Sequence, residues 1–251
     1  MIEVTSSGDV ALVHMAHGKA NAMSIEFCQA LTRRLEELDK SVARAVVITG
    51  RGRIFSAGVD LLRLLEGGAP YVREFLPALN GMFAALFSYP KPVVAAINGH
   101  AIAGGCVLAC ACDKRLMGHE VGTIGVTELL VGFPFPALAM EIIRSVTPPQ
   151  YLEELVCGGA TYAPAAGVAR GLVDEVVNPG LLLDRAIAAA QTLAALSPAA
   201  FALTKRQLRQ PALARVQGGG TVIDAEVAKI WAAPETLDRV RDYVSRTFKK
   251  A

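Results

Sequence analysis

What this sequence lacks narrows its possibilities first. No stretch reaches the roughly 20 uninterrupted apolar residues that a bilayer span requires. The longest candidate, Pro92 to Cys112, is broken by Asn98, His100 and several glycines. The opening MIEVTSSGDV carries neither a basic segment nor an apolar core, and it is not Arg- and Ser-rich enough for a transit peptide. No leader is therefore expected. Charge of one sign is also missing: 25 Lys and Arg balance 23 Asp and Glu, leaving +2. Lys205, Arg206 and Arg209 form one small basic cluster without interleaved aromatics, which argues against nucleic acid as a partner. There is no G-x-G-x-x-G, no P-loop lysine motif and no H-x-E paired with C-x-x-C, so NAD, ATP and metal chemistry are not implied. The five cysteines are odd in number and sit in apolar surroundings, which suits a reducing cytoplasm better than a disulfide framework.

What is present is apolar. Hydrophobic residues make up 53% of the 251 and charged residues only 19%. A chain of this length buries one sizeable core. The excess of apolar residues, with no membrane span to absorb it, predicts a subunit that hides surface in an oligomer.

The periodicity predicts an α/β chain. Two alternating strands around Ser6-Ser7-Gly8-Asp9 open it. Ser24 then reads as an N-cap for a helix whose Phe27, Leu31, Leu35 and Leu38 share one face. The β-branched run Ala45–Thr49 reads as a buried strand. The pattern recurs loosely: a helix over 70–88, a strand over 93–97, a helix over 103–112 entered through glycines, a strand over 113–117. Helical patterns return at 134–144 and 149–157, and a last strand is expected over 172–177. From 181 onward nearly everything is helical (181–196, 198–209, 216–232 and 234–248), with Gly218-Gly219-Gly220 expected to act as a hinge or helix-breaking turn. This order implies an α/β core with a helical end.

Two turns stand out. Phe55-Ser56-Ala57-Gly58-Val59-Asp60 follows one predicted strand. Asn98-Gly99-His100-Ala101-Ile102-Ala103-Gly104-Gly105-Cys106 joins another to a helix. Each sets small residues where backbone must approach something closely, and the second leaves free N–H groups at a helix start, which favours negative charge.

F-S-A-G-V-D, then N-G-x-A-x-A-G-G-C, then C-D, then T-E-L-L-V-G-F-P together resemble the crotonase (enoyl-CoA hydratase/isomerase) superfamily. H-G-K-A-N-A-M-S (17–24), G-L-V-D-E-V-V (171–177) and S-P-A-A-F-A-L-T-K (197–205) fit the same pattern, in order, over nearly the whole chain. The resemblance implies a spiral of ββα turns over 1–196 as the acyl-CoA-binding core. It also implies a helical region over 197–251 that assembles homotrimers or hexamers (dimers of trimers).

It implies further an oxyanion hole made by the backbone N–H groups of Val59 and Gly104, gripping a thioester carbonyl. Two preorganised donors stabilise an enolate far more than its neutral ground state, and losing one typically costs on the order of 3 kcal/mol. Hydratases of the family use two glutamates. One matches Glu128; the other would fall at 107, where this chain has Val107. A valine cannot hold or activate water. One carboxylate and an oxyanion hole resemble the Δ3,Δ2-enoyl-CoA isomerase branch, in which a single glutamate shuttles a proton from C2 to C4, and Gly132-Phe133-Pro134-Phe135-Pro136 leans the same way. The apolar context of Glu128 is expected to raise its pKa toward neutrality.

Two alternatives accompany this reading: a hydratase or other enolate reaction with a substitute second group, and a non-catalytic acyl-CoA binder. By resemblance the coenzyme A handle is held by Lys19, Ala20 and Ala22, with Ala57, Gly58 and Asp60 at the loop and Phe248-Lys249 at the terminus, an aromatic–basic end that could equally be a solvated tail. Coenzyme A enters as part of the substrate, and no cofactor of the enzyme's own is expected. Asp60 is expected to brace its loop, His100 to pack or hydrogen-bond, and Cys106, Cys110 and Cys112 to serve as small buried packing residues. Glu141 could face solvent or the pocket.

Overall fold

The computed structural model describes residues 1–247. The chain begins with the hairpin β1 (Ile2–Ser7) and β2 (Val10–Met15), followed by α1 (Ile25–Asp39). Ser24 caps α1, its hydroxyl accepting from the Phe27 N–H, and Phe27, Leu31, Leu35 and Leu38 are the buried stripe.

Three strand–strand–helix turns come next. They are β3 (Ala45–Thr49), β4 (Ile54–Ser56) and α2 (Leu61–Phe87); β5 (Val93–Ile97), β6 (His100–Ile102) and α3 (Gly104–Cys110); and β7 (Lys114–Gly118), β8 (Ile124–Gly125), a 3-10 turn (Glu128–Val131) and α4 (Ala137–Val146). The first strand of each turn enters a six-stranded sheet ordered β1-β2-β3-β5-β7-β9, where β9 is Glu175–Val177. The second strand of each enters a three-stranded parallel sheet, β4-β6-β8. Each turn therefore advances one strand in both sheets at once.

β3 and β5 are buried along all five residues because both faces of the large sheet are covered. Val46, Ile48, Ala95 and Ile97 face the main core. Ala45, Val47, Val94 and Ala96 face α7 (Leu182–Ala194), which supplies Leu182, Ala186, Ala189 and Ala190. Along the chain, α5 (Pro149–Gly158) and α6 (Pro164–Ala169) come between α4 and β9, and after α7 follow α8 (Pro198–Arg215), a π turn (Val216–Gly220), α9 (Thr221–Trp231) and α10 (Pro234–Thr247). Ala212, Val227, Trp231 and Val240 of these last helices belong to the main core.

Several boundaries differ from the sequence reading. α2 starts nine residues before position 70 because Asp60 caps it, its carboxylate accepting from the Arg63 N–H. The helix bends at Gly68, whose φ of 55° and ψ of −148° are non-helical. The triple glycine does not break its helix: Val216–Gly220 continues α8 into α9 as a π turn. A Cβ on Gly220 would lie 3.2 Å from the Ala137 Cβ, so the glycine admits α4 at close range. The last strand is only Glu175–Val177, because Asp174 turns aside to receive the Arg115 N–H and guanidinium at 2.7 Å each.

Lys205 and Arg209 do not form a solvated basic patch. Both reach inward to Asp113, at 2.6 and 2.7 Å, while Asp113 also accepts from the Val93 N–H at 2.8 Å. One carboxylate thus ties α8 to the starts of β5 and β7, two inner strands of the large sheet. Burial pushes the Lys205 ammonium down to about 8 despite that partner. Among the described residues no single helix is long and apolar enough to cross a membrane.

Candidate active site

The two glycine turns meet. Gly58 has φ +81°, and a Cβ there would sit 2.9 Å from both the Gly104 nitrogen and the Ala103 Cβ. A Cβ on Gly105 would fall 2.2 Å from the Ser56 carbonyl oxygen. Neither place has room for a side chain, which is the physical reason for glycine at 58 and 105.

The backbone around Val59 is held by Met23. The Met23 N–H donates to the Gly58 carbonyl at 2.7 Å, and the Asp60 N–H donates to the Met23 carbonyl at 3.0 Å. In such a parallel bridge, the N–H of the intervening residue points away from the partner strand. The Val59 N–H is therefore directed off Met23 and has no intramolecular acceptor among the described residues. The Gly104 N–H, first of α3, likewise has none. Ala103 sits just before it at φ 51° and ψ −125°, a conformation L residues rarely adopt and one that typically costs about 1–3 kcal/mol. The strain lies where the chain turns to present the Gly104 amide.

A hydrogen-bonded frame behind the first turn holds it in place. Asn21 adopts a positive φ of 46° and donates through Nδ2 to the Phe55 carbonyl at 3.1 Å. The Ser56 hydroxyl donates to the Asn21 carbonyl at 2.8 Å and accepts from the Gly58 N–H at 3.2 Å. The Ala57 N–H donates to the Ala20 carbonyl at 3.0 Å. Asn21 and Ser56 were not singled out from the sequence. Their signal was only that two short polar residues stand inside two glycine-alanine turns, a feature with many local explanations.

Val59 and Ala103 line a small cavity of about 60 Å³ with Glu128, Thr127, Val131, Phe133 and Tyr243. Glu128 is the one carboxylate of that lining. It is 7% exposed, and its Oε2 is buried with no hydrogen-bond partner among the described residues. Burial pushes its carboxyl up to about 7, against the opposing pull of the Glu128 and Thr127 backbone N–H groups. Val107 is 1% exposed, packed within the main core. The wall behind the cavity is aromatic: Phe133 stacks on Trp231 with centroids 3.8 Å apart, and the Trp231 indole N–H donates to the Pro134 carbonyl at 2.9 Å.

The other sequence candidates fall away from this cavity or beside it. Asp60 caps α2. His100 and Thr123 pair through Nδ1 and Oγ1 at 3.2 Å. Glu141 points neither to solvent nor to the cavity: Arg215 and Arg144 bind its carboxylate at 2.6 and 3.1 Å. Cys106, Cys110 and Cys112 are buried, and no group of metal-ligating side chains occurs among the described residues. Lys19 is exposed and Ala20 and Ala22 half-buried in the turn that abuts the Ala57 loop. Phe248 and Lys249 lie outside the described residues.

A family model described as enoyl-CoA hydratase/isomerase matches residues 5–233. A candidate enoyl-CoA hydratase of Thermus thermophilus is 37% identical over 213 residues, 83% of either chain. The apo structure of an enoyl-CoA isomerase from Mycobacterium tuberculosis is 33% identical, with a TM-score of 0.82 over 90% of this chain and 98% of that one. The human mitochondrial delta3-delta2-enoyl-CoA isomerase structure, 25% identical, superposes with a TM-score of 0.93 over 99% and 98% of the two chains.

Proposed function

The chain belongs to the crotonase superfamily, in its enoyl-CoA hydratase/isomerase family of acyl-CoA enzymes, and from that premise we propose that it moves the double bond of a 3-enoyl-CoA into conjugation with the thioester. The Glu128 carboxylate removes a C2 proton. The electron pair passes through the C3=C4 bond and the carbonyl, giving a dienolate whose oxygen accepts from the Val59 and Gly104 N–H groups. The protonated Glu128 returns its proton at C4, and the C2=C3 bond of the product forms as the oxygen releases its charge. Protons and electrons balance with no water consumed and no cofactor required.

The observation that carries this reading is the solitary buried carboxyl facing the paired turns, with Val107 buried in the core where a hydrating enzyme of the family has its second glutamate. A base held near pH 7 is matched both to taking a proton and to giving it back. The Lys19–Ala22 turn, braced against Ala57, is suited to the coenzyme A moiety, with Gly58 and Asp60 shaping the loop beneath it. Leu203, Leu208, Val222 and Ile223 stand exposed on the C-terminal helices, and this apolar surface supports assembly into trimers or hexamers through that region.

Separate incubation with a 3-enoyl-CoA and with crotonyl-CoA tests the reading. Conversion of the first without hydration of the second is expected. Hydration of crotonyl-CoA to a 3-hydroxyacyl-CoA, with the 3-enoyl-CoA inert, would overturn it in favour of a hydratase.

A further inference from the structure

α10 packs beside the cavity through one face of its helix. Thr236, Val240 and Tyr243 follow one another at i, i+4 and i+7, so they share a stripe. Thr236 and Val240 are buried. The first of them packs with Arg239 against Gly132: a Cβ on Gly132 would lie 3.0 Å from the Arg239 Cδ and 3.7 Å from the Thr236 Cγ2. Gly132, at φ +82°, ends the 3-10 turn that carries Glu128. α10 is thereby seated on the segment that holds the base. The third member of the stripe, Tyr243, is half-buried and reaches the same cavity as Glu128, Val131 and Phe133.

The cavity so closed is about 60 Å³, small beside the roughly 300–1,000 Å³ of pockets for drug-sized ligands. Phe133 cannot retreat to enlarge it, since Trp231 stacks on it and Phe75 lies against Trp231 with centroids 6.4 Å apart. Of the aromatic groups around the cavity, Tyr243 is the one on the solvent side.

We propose that Tyr243 sets the length of acyl chain this enzyme accepts: with α10 seated, short acyl chains are favoured and longer ones meet the phenol ring. The inference rests on the acyl-thioester reading of the same cavity. A pocket with spare depth gains about fourfold in affinity for each methylene it buries. A ring across the path removes that gain, so the preference among chain lengths reports its position.

The test uses the full-length protein with straight-chain 3-enoyl-CoA substrates of six and ten carbons, and measures binding of the saturated hexanoyl- and decanoyl-CoA by calorimetry. The wild-type enzyme is expected to favour six carbons in both kcat/KM and Kd. Tyr243→Ala should raise the ten-to-six ratio by about tenfold or more, the gain of burying two methylenes at about fourfold each, and Tyr243→Phe, which keeps the ring, should retain the wild-type order. Melting curves check that each variant is folded. A wild-type preference for ten carbons, or an unchanged ratio in folded Tyr243→Ala, would overturn the inference. If the saturated thioesters show the expected ratios while no 3-enoyl-CoA is isomerised, the length limit stands and the isomerase reading fails.

Discussion

Glu128→Gln should gain stability relative to the wild type as pH rises, while abolishing its chemistry. The Glu128 carboxyl is raised from 4.5 to about 7 in the folded chain by burial. Between those values the folded state holds a proton that the unfolded state has released, so this group's stabilisation is complete below 4.5 and is lost as pH rises through 7. The full difference corresponds to about 3 kcal/mol, and most of it is expressed between pH 5 and pH 8.5. Glutamine has the same shape and never ionises, so the variant escapes that loss.

The glutamine amide adds its own fixed offset, since Oε2 has no partner to offer it, but that offset does not change with pH. The informative quantity is therefore the stability difference between variant and wild type at the two pH values. Urea unfolding at one fixed protein concentration measures it, with every other titrating group common to both proteins. The difference should shift toward the variant by about 2–3 kcal/mol from pH 5 to pH 8.5. A difference that stays flat, or moves the other way, would show that the carboxyl is solvated in the folded protein and would refute the argument from burial.

Three further outcomes are expected. Gly58→Ala places a Cβ 2.9 Å from the Gly104 nitrogen at a φ of +81°, so kcat/KM for a 3-enoyl-CoA should fall about 100- to 1,000-fold. In that variant the Kd of a saturated acyl-CoA should change far less; equal losses in both would point to general disruption. Asp113→Ala leaves Lys205 and Arg209 without their shared carboxylate and should lower stability by about 3–5 kcal/mol in chemical denaturation. Adding Lys205→Met should recover part of that loss, and no recovery would contradict the clamp. Leu208, 77% exposed on α8, should, when changed to Asp, shift sedimentation toward smaller species; an unchanged profile would place the assembly surface elsewhere.

Much of the site was legible because it is built from local constraints. Gly58 and Gly105 are fixed by contacts that leave no room for a Cβ, and such positions announce themselves as glycine turns. The apolar run around Glu128 likewise forecast a buried acid. What stayed hidden depends on distant segments meeting. The second sheet is built from strands of two or three residues, too short to show a period. The π turn through Val216–Gly220 looks like a break in one dimension and becomes intelligible only when Ala137 is found against Gly220. Tyr243 stands 115 positions from Glu128 by their numbers. Its helical face was readable, but its neighbour across the cavity was not. Arg209 and Lys205 read only as part of a small basic cluster, because nothing local showed that α8 folds back onto Asp113.

Isotope transfer tests the proton shuttle most directly. A 3-enoyl-CoA carrying deuterium at C2 is incubated with the enzyme in ordinary water, and the product is examined by mass spectrometry and NMR. If Glu128 alone carries the proton between the two carbons, part of the label should appear at C4 of the 2-enoyl-CoA, and Glu128→Gln should form no product. Isomerised product with no deuterium at C4, or full turnover by Glu128→Gln, would contradict the single-carboxylate shuttle.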